Sequence, residues 1–130
     1  YAVGDAADFP LKQAHLAVHQ ADAAAEHLSA QVLGTLPRFE FEPTSMYVME
    51  GLDNATFVHV PLRVTDSADN PVEVRAEEER YSVGSSPLWR FGKMAVGVYL
   101  PRRFKAGNPL QGAPWKGLEA GVKFVSGVLS

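Results

Sequence analysis

Between Leu11 and Leu33 the apolar residues recur at helical spacings, and Gly34 stops the run. Ala14, Ala17, Val18, Ala21, Ala25, Leu28 and Val32 share one face of such a helix. Pro10 sits just ahead of it, where a missing N–H costs nothing. Gly34 supplies a natural C-terminal stop. The run predicts one long helix, and its many alanines predict close packing, because small side chains let backbones approach. The chain's 130 residues, 46% of them apolar, are one domain's worth of sequence with enough material for a core.

Beyond the helix the pattern changes to a period of two. Arg38-Phe39-Glu40-Phe41-Glu42 reads as a strand with one wet face, and Met46-Tyr47-Val48-Met49 as a more apolar one. Ala55 to Val64 is a strong strand, in which Pro61 implies an edge or a bulge. Turns are expected at Gly51–Asn54 and Ser67–Pro71, then shorter strands at Val72–Arg75 and Arg80–Val83. Short connections between such strands predict an antiparallel meander over 38–83. The tail returns to helix. Ser85-Ser86-Pro87 is a start signal, and Leu88, Phe91, Ala95, Val98 and Tyr99 keep helical spacing as far as Pro101. Trp115, Leu118, Val122, Val125 and Leu129 form a narrow stripe on a last helix. Helices are expected over about 87–105 and 115–129. The fold class is α+β: a strand–loop–helix unit, an antiparallel β meander and two C-terminal helices.

Several classes are excluded by composition. With no cysteine, the stretch holds no disulfide, no cysteine-bound metal and no cysteine nucleophile. No apolar run approaches the roughly 20 residues of a membrane-spanning helix. The first residues, Tyr1-Ala2-Val3-Gly4-Asp5, carry no signal-peptide pattern. Charge is uneven. Residues 1–85 hold five basic and fourteen acidic residues, a net of −9, and residues 86–130 seven basic and one acidic, a net of +6. The simpler expectation is an acidic front and a basic rear that attract each other; the other is a basic tail meeting an anionic surface. No basic residues are interleaved with a stacking platform, so nucleic-acid binding is not expected.

The residues that carry chemistry are Tyr1-Ala2-Val3-Gly4-Asp5-Ala6-Ala7-Asp8-Phe9-Pro10-Leu11-Lys12-Gln13. A strand end delivering Gly-Asp, then a loop, then a helix N-terminus makes a sensible flavin site. Gly4 lets a cofactor approach the backbone without a Cβ in the way. Asp5 offers a carboxylate to polyol hydroxyls. The first helical amides, near Lys12 to Ala14, point unpaired N–H groups and partial positive charge outward, which suits the electron-rich edge of a reduced flavin. The same residues also make an ordinary turn and helix start.

The segment resembles the second FAD-binding motif of the two-dinucleotide-domain flavoproteins, the pyridine nucleotide-disulfide oxidoreductase superfamily. These include disulfide reductases, type II NADH dehydrogenases and sulfide:quinone reductases. Lys12-Gln13-Ala14 before Gln20-Ala21-Asp22-Ala23-Ala24-Ala25 looks like the sulfide:quinone reductase-like members. Ser86-Pro87-Leu88-Trp89, then Gly92-Lys93-Met94-Ala95, resembles their C-terminal helix. Together the matches span about half the chain. The resemblance implies FAD as cofactor, with Gly4, Asp5 and Ala6 on its ribityl side and Lys12, Gln13 and Ala14 at the flavin ring edge. It assigns no catalytic residue and no metal to this stretch. It implies that residues 1–34 end an FAD-binding domain and that 35–130 form a C-terminal interface domain. The Gly-x-Gly-x-x-Gly units for the FAD pyrophosphate and for NAD(P) are not in this sequence, so they are expected in the remainder of a longer flavoprotein chain. The implied activity passes electrons between a nicotinamide cofactor, FAD and a quinone, disulfide or other acceptor. The implied setting is cytoplasmic, with a peripheral contact to the inner face of a membrane and a homo-oligomer both compatible. One departure matters: sulfide:quinone reductases carry a redox cysteine near the strand matched by Met46-Tyr47-Val48, and this chain has none.

Other residues admit a functional and a structural account. His15, His19, Asp22 and Glu26 fall on one helix face at spacings of four, three and four. They are read as a solvated polar face with acid–imidazole pairs rather than a metal site. Trp115 is expected in the core, and Glu77-Glu78-Glu79 in a solvated turn. The alternative to the flavoprotein reading is a stand-alone, non-catalytic α+β interaction or membrane-docking domain, in which Gly4-Asp5 is merely a turn.

Overall fold

A computed structural model describes residues 1–69, 71–75, 82–110 and 113–129. Over these described residues it is an α+β fold, with a four-stranded antiparallel sheet and three helices. A short 3₁₀ turn, Gly4–Ala6, precedes α1 (Ala14–Leu33). The strands are β1 (Thr44–Glu50), β2 (Ala55–Val64), β3 (Val72–Val74) and β4 (Ser82–Ser85), followed by α2 (Leu88–Ala106) and α3 (Ala113–Leu129). No helix among the described residues is long and apolar enough to cross a membrane.

β2 is the central strand. β1 runs along one side of it, from Thr44↔Pro61 to Glu50↔Ala55. β3 and β4 share the other side in succession, β3 against Leu62–Val64 and β4 against Thr56–His59. The break between them falls at Pro61, as a proline in a strand predicts. The Leu62 N–H bonds to the Pro43 carbonyl on the β1 side, so the position of the absent Pro61 N–H faces the β3/β4 side. There the Pro61 carbonyl takes the Arg75 N–H, and the partner chain leaves the ladder.

One sheet face meets the tail. Ala55 and Phe57 of β2 pack on Trp89 of α2, the Phe57 and Trp89 rings stacked with centroids 4.8 Å apart. Met46 of β1 bridges this cluster to a second one formed by Val18 of α1, Leu110 and Trp115 of α3. The front and rear charges do attract: Lys93 pairs with Glu50 at 2.8 Å, and Arg103 with Asp22. Trp115 is in the core as expected. The stripe positions Val122, Val125 and Leu129 fall on α3, with their side chains outside the description, and the acidic run Glu77–Glu79 lies outside the described residues.

Three expectations are corrected. Residues 1–3 are extended at Val3 but belong to no strand. Arg38–Glu42 is not a strand either. The Arg38 N–H and guanidinium are both held by Glu26 of α1, and Phe41 packs edge-on against Phe9 at 5.5 Å, so helix and loop claim the segment before a ladder can. α2, by contrast, covers the expected span of about 87–105 and carries Pro101 inside it. The acceptor that Pro101 leaves without its intrahelical donor is the carbonyl of Gly97, four residues back, and Gly97 is exposed, where such a loss costs least. Finally, α1 is turned over. Its buried residues are Leu16, Val18, His19, Ala23, Glu26 and Ala30, whereas Leu28 and Val32 of the expected core stripe stand exposed, Val32 at 84%.

Candidate functional site

The N-terminal turn is built onto α1. Gly4 has φ +63, and a Cβ on it would come within 3.2 Å of the Ala17 Cβ. Glycine is therefore required twice, for the left-handed backbone and for the close approach. The Gly4 N–H donates to Gln20 Oε1 at 2.7 Å, fixing the turn on the second turn of the helix. Lys12 Nζ donates to the Ala7 carbonyl at 2.7 Å and closes the loop between turn and helix. Asp5 and Ala6 are exposed at the crest of the turn.

Gln13 is the N-cap residue of α1 but spends its side chain on the sheet. Its Nε2 donates to Ser45 Oγ at 3.2 Å and its Oε1 accepts the Met46 N–H at 3.4 Å. The first bond of the helix is Ala17 N–H to the Gln13 carbonyl, so the N–H groups of Ala14, His15 and Leu16 have no acceptor inside the helix. The structure thus joins Gly4 to the body of α1 and Gln13 to β1, with Ala14 exposed at the helix start. The lysine head is committed to the loop rather than to the helix end.

Beside this end lies a polar cleft of about 540 Å³, lined among others by Glu42, Thr44, His59, Arg75, Lys116 and Glu119. His59 is buried, and its Nε2–H donates to Glu119 Oε1 at 3.2 Å; Thr44 Oγ1 donates to the same oxygen at 3.5 Å. The His15 Nε2–H donates to the Thr44 carbonyl at 2.7 Å. One carboxylate of α3 therefore ties α3 to both main strands, and β1 in turn to the start of α1. Burial, partly offset by the bond to Thr44, holds the His15 pKa below its ordinary value; the nearby His59 lowers it further.

The cleft around His59 was not foreseen from the sequence. Away from it, the reading of the His15, His19, Asp22 and Glu26 face as solvated is overturned. His19 is fully buried, Glu26 is buried against Arg38, and Asp22 holds both Arg103 and the Leu110 N–H. No group of three or more His, Cys, Asp or Glu able to hold a metal occurs among the described residues.

Set against known proteins, the chain matches no family model, no curated protein and no solved structure.

Proposed function

We propose that this chain is the C-terminal part of an FAD-dependent, NAD(P)-linked oxidoreductase that passes electrons to a quinone, disulfide or other acceptor. The observation that supports this reading is the docking of the Gly4–Ala6 turn on α1. It presents an exposed carboxylate, Asp5, on a glycine turn tied to a helix whose first N–H groups lack acceptors within the helix. That donor set fits a flavin. Asp5 would accept hydrogen bonds from ribityl hydroxyls, Gly4 would keep the approach clear, and the amides near Ala14 would face the ring edge. When bound, FAD would supply the two-electron chemistry, while the chain positions it and places partial positive charge at its edge. Lys12 serves by holding the loop closed, and Gln13 by fixing the helix start to the sheet. The partners on this reading are the remainder of the flavoprotein chain and NAD(P) bound there, in a cytoplasmic setting.

The test is Asp5→Ala in the complete protein. FAD retention on dilution should weaken about tenfold to a hundredfold, the size of a hydrogen bond to a charged group. The isolated 130-residue chain should be colourless, since it offers only one carboxylate, a turn and a helix end. Full FAD occupancy of the Asp5→Ala protein after extensive dilution removes Asp5 from the site.

A further inference from the structure

The histidine face of α1 plays no part in the flavin reading and asks for its own account. His19 is 0% exposed, and neither ring nitrogen has a hydrogen-bond partner. A buried polar group left in that state is a cost that a native structure rarely carries without a reason. Its ring stands perpendicular to the indole of Trp115, centroids 4.1 Å apart. His15, one helical turn earlier, stacks nearly parallel on the same indole at 5.8 Å. Two imidazoles of α1 therefore clasp the first turn of α3, with Val18 and Leu110 completing the apolar contact.

The charged and titratable groups around His19 come from three helices: His15 and Asp22 of α1, Arg103 of α2 and Glu119 of α3. His59 of β2 stands behind His15. The carboxylates are already engaged, Asp22 by Arg103 and the Leu110 N–H, Glu119 by His59 and Thr44. A neutral His19 fits this cage as a flat, nearly apolar ring. A protonated one is a buried cation with two donors and no acceptor, close to a second imidazole and to Arg103.

We infer that the contact between His19 and Trp115 is an acid-released latch: protonation of His19 expels the indole and frees the first turn of α3. Because Lys116 and Glu119 ride on α3, release also separates Glu119 from His59 and dismantles the cleft. The sign is set by linkage. Burial, then the neighbouring His15, lowers the His19 pKa from 6.5 to about 4, against the opposing pull of Asp22 and Glu119. A released His19 returns to its ordinary value. The latched state is therefore fully favoured above about pH 6.5 and loses ground steadily as the pH falls towards 4. Between about pH 7.5 and about pH 5, the opening equilibrium shifts about 30-fold towards release. The latch needs no flavin, so its failure and the failure of the flavin reading are separate events.

Hydrogen exchange of the chain at the two pH values, expressed as protection factors so that the intrinsic pH dependence cancels, tests this. Amides of α3 should lose about 30-fold in protection while those of β1 and β2 hold theirs, which separates release from general acid unfolding. His19→Leu keeps an apolar side chain in the cage and cannot titrate, so its α3 protection should fall by much less than about 30-fold between the two pH values, the remainder coming from His15 on the same indole. His19→Met serves if the branched side chain does not fit. On the wild-type chain alone, the His19 Cε1–H resonance should stay in its neutral position down to about pH 5.5. Equal losses of α3 protection in wild type and the His19 variants, no loss in wild type, or a His19 resonance titrating near its ordinary value would each overturn the latch.

Discussion

α1 and α2 are of nearly equal length and solve opposite problems. α1 turns its polar face inward: His19 and Glu26 are buried, Asp22 is half-buried, and Leu28, Val32 and Leu33 face out. α2 turns apolar residues outward: Phe91 and Met94 are each 67% exposed, and Val98 and Tyr99 lie open beside them, while only Trp89 and Arg103 are buried. The inward polar groups of α1 are matched within this chain, Asp22 by Arg103 and Leu110, Glu26 by Arg38, with His19 the exception. The outward apolar groups of α2 are matched by nothing among the described residues. Buried polar groups fix a helix because each needs a partner of defined geometry, whereas an apolar stripe accepts any apolar cover. α1 is thereby committed to its place, and α2 is held mainly by Trp89 at its start and Arg103 near its end.

Breaking that commitment should produce the largest effect. Asp22→Ala leaves Arg103 buried without its carboxylate and the Leu110 N–H without its acceptor. Removing one member of a buried ion pair costs about 3–5 kcal/mol, and urea denaturation should show it as a lower midpoint at unchanged slope. A loss under about 1 kcal/mol would mean that water already reaches the pair.

Next is the seat of the N-terminal turn. Gly4→Ala forces a Cβ into left-handed backbone and towards Ala17, and should cost about 1–2 kcal/mol. The loss should appear with faster proteolysis between Ala7 and Lys12, and an unchanged cleavage rate would show the turn to be loosely held.

A smaller effect is expected at Glu26. Bonds from the Arg38 side chain and its backbone N–H hold the Glu26 carboxyl at about 2 instead of 4.5. A lowered acid pKa contributes stability that is complete above the unfolded value and disappears as the pH falls through the folded one. The advantage of wild type over Glu26→Gln should thus be present at neutral pH and shrink progressively between 4.5 and 2. Arg38 is 77% exposed, so water screens the pair and keeps the effect below that of Asp22. A pH-independent difference in urea midpoints would assign the effect to packing.

The smallest change is expected on the other helix. Phe91→Lys on the open face of α2 should alter stability by no more than about 0.5 kcal/mol. A loss of about 2 kcal/mol or more in thermal denaturation would show that this face is covered, and the contrast between the helices would fall with it.

The candidate site was legible in parts. Gly4-Asp5 ahead of a helix marked the turn, and the turn is there, but nothing local told that Gln13 reaches Ser45 or that Lys12 closes back onto Ala7. The cleft was invisible because His59 and Glu119 are 60 residues apart and meet only across the sheet.

Local sequence determined where most elements lie. β2 occupies Ala55–Val64, the span its alternation predicts, and Pro61 marks the break between β3 and β4. Ser86 starts α2, its hydroxyl accepting the Leu88 N–H at 3.2 Å, and Gly34 ends α1 in left-handed backbone. These features act within a few residues, through φ preference, side-chain period and capping. Only the tertiary structure decided which face of α1 is buried. Alanines lie on both faces of that helix, so hydropathy separates them weakly, and the choice falls to partners far along the chain: Arg38, Arg103 and Trp115. The same long-range claims kept Arg38–Glu42 out of the sheet, because a period fixes what a segment can be and its neighbours fix what it faces.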